Sequence, residues 1–369
     1  MDTHAIVVGA GPAGAAAAYC LAAAGLPLIW LDRPAHARAK PCAGGLTPKA
    51  LRLLPADPSC VVRERTREVL MSWRGYRTSS FQAGSDLCLL THRPEFDRWH
   101  RQQAQQAGAE LLHCDALVGV RQHGDGVALT VRHDGQRHTY RAPWLIAADG
   151  AHSPVRRLVC GQPVQAPAIA IEGQVATQDC MRWPAMQFDF GTVAGGYGWL
   201  FPKGDHINVG LYSWRQGAGL GQAALAAYAR RQLGTDQLTA VQGFPIATQG
   251  AQLRLTAGRV LFTGDAAGLA EPLLGEGIYG ALLSGRHAAL ALMDAGDAAQ
   301  RYEQLMMPWR HELARTRPLT RLFYGTLPLA FGALVHGLRR PVTTGMADGL
   351  TLMQSWQRWL KPAGRASDG

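Results

Sequence analysis

Six residues near the start of the chain, Gly9-Ala10-Gly11-Pro12-Ala13-Gly14, have the types and spacing to seat a pyrophosphate. Gly9 permits a tight turn, Gly11 lets the backbone approach the phosphates, and Gly14 lets the next helix pack closely on the strand. A helix opening at Pro12 and Ala13 would aim its free N–H groups and positive dipole end at the anion. Asp32, followed by Arg33, falls where a carboxylate takes ribose hydroxyls. A second cluster, Thr263-Gly264-Asp265-Ala266-Ala267-Gly268, lies far along the chain. An aspartate there, at the end of a buried strand, can reach the ribityl or pyrophosphate part of a flavin. Gly275-Glu276-Gly277-Ile278 then opens a helix whose dipole would favour negative charge on the flavin's pyrimidine ring. The two clusters together indicate FAD rather than NAD.

These residues need elements to position them. Residues 4–10 predict a short buried strand, 12–24 an alanine-rich helix stopped by Gly25, and 26–32 a second strand. That βαβ unit requires a parallel sheet. A helix is expected over 93–107 and period-two alternation over 126–149 around an Asp134-Gly135 turn, ending in a strand at 144–148. Residues 166–214 read as strand-rich with spaced aromatics, and 259–263 as another buried strand. After Gly275 the chain turns helical, through 297–317 and 346–360, and the last six residues read as disordered. The fold class is α/β: a Rossmann-type FAD-binding domain interleaved with a strand-rich substrate domain, plus C-terminal helices. We assign 1–158 and 250–298 to the FAD domain, with 65–90 in the substrate lobe, 159–249 to the substrate domain, and 299–369 to the helical region.

The motifs resemble the geranylgeranyl reductase family, within the group that shares the para-hydroxybenzoate hydroxylase fold. The resemblance runs from Ile6 to about Gly285. It includes the N-terminal fingerprint, Lys40-Pro41-Cys42-Ala43-Gly44-Gly45-Leu46, Thr91-His92-Arg93-Pro94-Glu95-Phe96-Asp97 and Ala148-Asp149-Gly150-Ala151-His152-Ser153. Tyr197-Gly198-Trp199-Leu200-Phe201-Pro202 and the stretch from Gly264-Asp265 to Gly277 complete it. It implies that Arg93 contacts the FAD pyrophosphate and that the Asp149-Gly150 turn lies along the cofactor. Pro41, Cys42, Ala43 and Gly44 would lie against the flavin ring. Gly45, Tyr197, Trp199, Phe201 and Pro202 would wall a hydrophobic substrate cavity. Cys42 and Tyr197 are then the candidate proton donors, beside a bound water. Lys203 and His206 read as solvated loop residues.

The fold alone does not separate reductases from oxygenases and halogenases. Aromatic hydroxylases tend to continue the Gly-Asp motif with Ala-His, where Gly268 follows Ala267 here. They also tend to carry an asparagine two residues after the final glycine, where this chain has Gly277-Ile278-Tyr279. Halogenases begin the aromatic segment with tryptophan, where Tyr197 stands. These departures favour reduction of carbon–carbon double bonds in an isoprenoid or similar hydrophobic substrate, with NADPH or another reductant as electron source. A lipid or aromatic monooxygenase and a flavin electron carrier docking a quinone are the alternatives.

Composition sets the remaining bounds. With 47% hydrophobic and 17% charged residues, the chain is globular. The seven cysteines are scattered, with no C-x-x-C pair, and the histidines are dispersed, so no metal site is expected. The formal charge of +10 is nearly all arginine and comes with no nucleic-acid motif, which predicts a basic surface rather than a nucleic-acid groove. With no signal peptide or spanning run, a cytoplasmic location is expected. Phe323, Leu327, Leu329, Phe331 and Leu334 could extend the pocket or rest on a membrane surface, with core packing expected for most of them.

Overall fold

The computed structural model describes residues 3–33, 40–215 and 217–360; the terminal stretch expected to be disordered lies outside them. Ala5–Val8, buried throughout, forms a central strand of a six-stranded sheet. It pairs in parallel with Leu28–Asp32 on one side and Trp144–Ala147 on the other. Leu111–His113 and Val260–Phe262 extend the parallel sheet, and Thr256–Ala257 closes one edge antiparallel. A parallel sheet needs helices over it. Pro12–Ala23 and Ile278–Met293 supply two, and they touch through residues with almost no side chain. A Cβ on Gly285 would sit 2.0 Å from the carbonyl oxygen of Ala13. The alanine-rich composition of the first helix thus sets how near the second glycine cluster comes to the first.

A seven-stranded sheet forms the other lobe. Its order is Thr239–Ile246, Ala168–Ala176, His206–Ser213, Gly196–Pro202, Gln187–Phe190, Glu68–Trp73 and Tyr76–Gln82. All pairs are antiparallel except Gln187–Phe190 with Glu68–Trp73, so the chain visits this sheet twice. A separate meander, Ala116–Gln122, Val127–His133 and Gln136–Ala142, turns at Asp134 and Gly135, both with positive φ. A small sheet of Gly45–Leu46, Val62–Thr66 and Cys88–Thr91 bridges the lobes.

The C-terminal region departs from the sequence expectation. The helix expected over 297–317 is one element of 28 residues, Ala298–Gly325, running through Pro308 and Pro318. An interior proline removes a backbone donor and crowds the preceding turn. Here the buried stripe of Tyr302, Met306, Trp309, Leu313, Thr316 and Thr320 continues across both and holds the helix together. The helix expected over 346–360 is two, Arg339–Ala347 and Leu352–Leu360, parted where Gly349 takes φ +64°. That left-handed glycine ends a helix more strongly than local apolar periodicity extends one. Leu327–His336 lies between the long helix and this pair, with Leu327 and Phe331 packed against the aromatic face of the seven-stranded sheet.

Candidate active site

Both glycine clusters and the cysteine loop meet at one cavity of about 1300 Å³, larger than the ~300–1,000 Å³ of an ordinary single-ligand pocket. Gly11, Asp32, Arg33, Arg101 and His113 line its polar end. Asp149, Gly264, Asp265 and Gly275 to Ile278 line its middle. At the far end it opens without a break into an apolar chamber walled by Met71, Phe188, Phe190, Tyr197, Trp199 and Phe201.

The polar half fits a flavin dinucleotide. Gly9 and Gly14 do not line the cavity; they build it. A Cβ on Gly14 would stand 1.8 Å from the Gly9 carbonyl oxygen, and one on Gly9 would stand 2.3 Å from that of Ala148. At Gly11 a Cβ would meet nothing within 4 Å, so the face of its backbone that lines the cavity is open to a ligand. The helices beginning at Pro12 and Ile278 have no side-chain N-cap and no acid in the first turn, and residues of both N-termini line the cavity. Both N-termini can therefore receive anionic groups. Asp265 holds Lys40, whose ammonium lies 5.0 Å from the Phe244 ring centroid. Asp149 accepts from Ser153 Oγ at 2.7 Å and Val155 N at 2.9 Å, so its carboxylate caps the helix Pro154–Cys160 and fixes the Gly150 turn beside the cavity. Arg93 also lines the cavity, its fork bidentate on Asp97 at 3.0 and 2.9 Å.

The cysteine loop rests on residues that sequence reading passed over. The Cys42 N–H donates to Glu172 Oε1 at 2.8 Å, and the Gly44 N–H points at Cys42 Sγ at 3.4 Å. Lys203, expected to be solvated, is 2% exposed and donates to the Thr91 carbonyl at 2.7 Å. Burial pulls its pKa down to about 8 against the opposing pull of Cys42 and Glu172. Burial pushes the Glu172 carboxyl up, held back by the Cys42 N–H and by Lys203. Thr47 Oγ1 and Lys49 Nζ bind Glu276 at 2.7 and 2.6 Å, tying the second helix start to the end of this loop.

Strand alternation explains the aromatic wall. Tyr197, Trp199 and Phe201 face the cavity, while Gly198 and Leu200 face the helix Gln222–Leu233. Pro202, expected in the pocket, falls on the other parity and does not line it. Gly210, opposite Trp199, leaves room for the indole: a Cβ there would lie 1.9 Å from the ring.

Three phenols hold the segment between Gly268 and Gly275. Tyr197 donates to the Leu274 carbonyl, Tyr212 to Pro272 at 2.6 Å and Tyr324 to Leu273 at 2.7 Å. Glu271, 8% exposed, accepts from the Leu273 and Leu274 N–H groups at 2.7 and 2.8 Å. Tyr197 is thus committed as a clamp, and burial pushes its ionisation well above the ordinary range, which argues against the proton-donor role expected for it. Tyr197→Phe should cost about 1 kcal/mol of stability and leave turnover within about tenfold. A turnover loss of the ~10²–10⁴ that general acids supply, at unchanged stability, would return the hydroxyl to proton transfer.

A dinucleotide groove on a parallel sheet, opening on an apolar chamber beside a cysteine loop, defines an FAD-dependent oxidoreductase of two interleaved lobes. A family model described as FAD binding domain matches residues 2–177. The geranylgeranyl diphosphate reductase of Rhodobacter capsulatus is 30% identical over 305 residues, 79% of this chain and 75% of that protein. The menaquinone reductase of Mycobacterium tuberculosis is 33% identical over 336 residues, 82% of this chain and 79% of its own. The solved structure of a geranylgeranyl bacteriochlorophyll reductase-like protein from Thermoplasma acidophilum aligns with a TM-score of 0.78 over 96% of this chain and 98% of that one. At 22% identity it speaks for the fold alone. The chain belongs to the geranylgeranyl reductase family of FAD-dependent reductases.

Proposed function

We propose that this chain reduces isolated carbon–carbon double bonds of an isoprenoid chain held in the apolar chamber. The observation that carries this reading is the unbroken passage from the dinucleotide groove into a chamber of aromatic and aliphatic walls. Gly11, the two helix starts and the 40–45 loop would hold FAD, which when bound and reduced would supply the hydride. The chain's own residues do the rest. Tyr197, Trp199, Phe201, Phe188 and Met71 exclude water and align a flexible prenyl chain, so that one double bond is presented at a time. An unactivated alkene needs a proton as hydride arrives at its other carbon. With Tyr197 clamped, Cys42 Sγ is the chain's own remaining candidate among those the motifs offered. Its proton passes to carbon, and solvent returns one to the sulfur before the next turnover. The reductases named above, for geranylgeranyl diphosphate and menaquinone, support a prenylated substrate.

The test is mass spectrometry of a geranylgeranyl substrate incubated with chemically reduced holoprotein, with and without oxygen. Gain of hydrogen pairs in the anaerobic arm is the expected result, sharply reduced in Cys42→Ala. Gain of oxygen, seen only in air, would overturn the reading in favour of a monooxygenase.

A further inference from the structure

We infer that the mouth of the apolar chamber is a docking surface for an anionic lipid bilayer, with the helix Leu352–Leu360 lying in the headgroup plane. The inference deepens the isoprenoid reading by placing the entrance of the substrate, but the docking itself does not depend on that reading. Six residues at the apolar end line the cavity and are exposed at the same time, and these mark its mouth: Leu319, Leu322, Thr326, Leu329, Ala333 and Trp356. Leu322 is 60% and Leu329 80% exposed. A mouth built for a water-borne substrate would carry several polar groups, and here one threonine sits in an otherwise apolar rim that water must cover at a cost.

The neighbouring helix extends the rim. Leu352, Met353, Trp356, Trp359 and Leu360 fall on one stripe, with Gln354, Gln357 and Arg358 off it. Trp356 and Trp359 lie 5.5 Å apart, and Ser355 is the helix's one buried residue, so the apolar stripe is not absorbed by the core. Helices of this kind, with tryptophan on the apolar side, settle at the bilayer interface.

Charge chooses the partner. Residues 311–360 hold six arginines (Arg315, Arg317, Arg321, Arg339, Arg340 and Arg358) against two acids. Of these acids, Glu312 is buried and Asp348 is bound to Arg358. A second copy docked through this region about a two-fold axis would bring two arginine-rich, acid-poor segments together. An anionic bilayer accepts the tryptophans and leucines and complements the arginines together.

The experiment is flotation of the full holoprotein with vesicles of phosphatidylcholine alone or of equal parts phosphatidylcholine and phosphatidylglycerol. Flotation with the mixed vesicles should exceed that with phosphatidylcholine by at least about fivefold and fall in high salt. The double variant Trp359→Glu/Leu360→Glu, at positions that do not line the cavity, should lose about tenfold or more of it. It should keep its flavin and its turnover of a detergent-dispersed prenyl substrate. Absence of flotation overturns the proposal, as does flotation unchanged in the double variant. A wild-type dimer that this variant splits would overturn it in favour of a contact between copies. Turnover is read separately, so a chain that floats without reducing a prenyl substrate would count against the proposed function alone.

Discussion

Gly11→Val is expected to yield a folded protein that has lost its flavin, and Gly14→Val a protein that does not fold stably at all. The two glycines stand three residues apart in the same fingerprint, yet their surroundings differ. Gly11 has φ −77° and ψ −174°, extended backbone that valine adopts readily, and a Cβ there meets nothing within 4 Å. Packing therefore gives no reason for glycine at this position; close approach of a pyrophosphate does. Two methyls would occupy that space, and flavin affinity should fall by about a hundredfold or more, as a lost or displaced charge-assisted contact demands. The stability of the stripped protein should change by less than about 1 kcal/mol. At Gly14 the Cβ would stand 1.8 Å from the Gly9 carbonyl oxygen and 3.3 Å from the Cβ of Ala148, and the obstacle is backbone that cannot rotate away. The helix Pro12–Ala23 would have to lift from the strand, and overpacking of this kind costs about 3 kcal/mol or more. Flavin absorbance and thermal unfolding of each variant, set against flavin-stripped wild type, check both halves. A yellow Gly11→Val protein would show that the pyrophosphate does not lie on this turn.

The parts of the site legible in the sequence are those where local backbone geometry forces the residue type. The glycine turns are of this kind, because no other residue takes φ +105° at Gly9 against the backbone of Ala148. The Tyr-Gly-Trp-Leu-Phe alternation is another, since period two alone decides which side chains share a face. What remained illegible depends on pairings made across the chain. Glu172 shares strand parity with Ala170, and both line the cavity, yet nothing local says that its carboxylate will meet the N–H of Cys42, 130 residues away. Lys203 follows a proline and precedes Gly204-Asp205, which reads as a solvated turn. Its burial comes from Thr91, on the small sheet between the lobes, and from Gly44 just ahead of that sheet's first strand. Thr47-Pro48-Lys49 did carry a signal, the N-cap and first-turn proline of a short helix, but its bond to Glu276 is a tertiary fact. The long C-terminal helix reads through Pro308 in the sequence but stops at 317, because Pro318 is a strong local stop signal that a continuous buried stripe outweighs.

Glu271→Gln should gain stability relative to wild type as pH rises from about 5 toward 8. Glu271 lies beneath the three-tyrosine clamp, and burial raises its carboxyl to about 7 despite two backbone donors and the pull of Lys49, with Glu276 adding to the rise. In the unfolded chain the same group titrates near its ordinary value of 4.5. Between those two values the folded protein holds a proton that the unfolded chain has released. The stabilisation is therefore complete below about pH 4.5 and is lost as pH climbs through about 7. A displacement of this size corresponds to about 3 kcal/mol. Glutamine keeps the shape and one acceptor, and loses one of the two backbone bonds, a cost of about 1 kcal/mol. The variant should thus match wild type near pH 5 and exceed it by about 2 kcal/mol near pH 8, a crossing that simple damage to the segment could not produce. Denaturant unfolding of both proteins across this range measures it. Parallel curves would mean that the two N–H donors and Lys49 outweigh burial, leaving Glu271 ionised throughout and the segment beside the flavin site anchored by a carboxylate at every working pH.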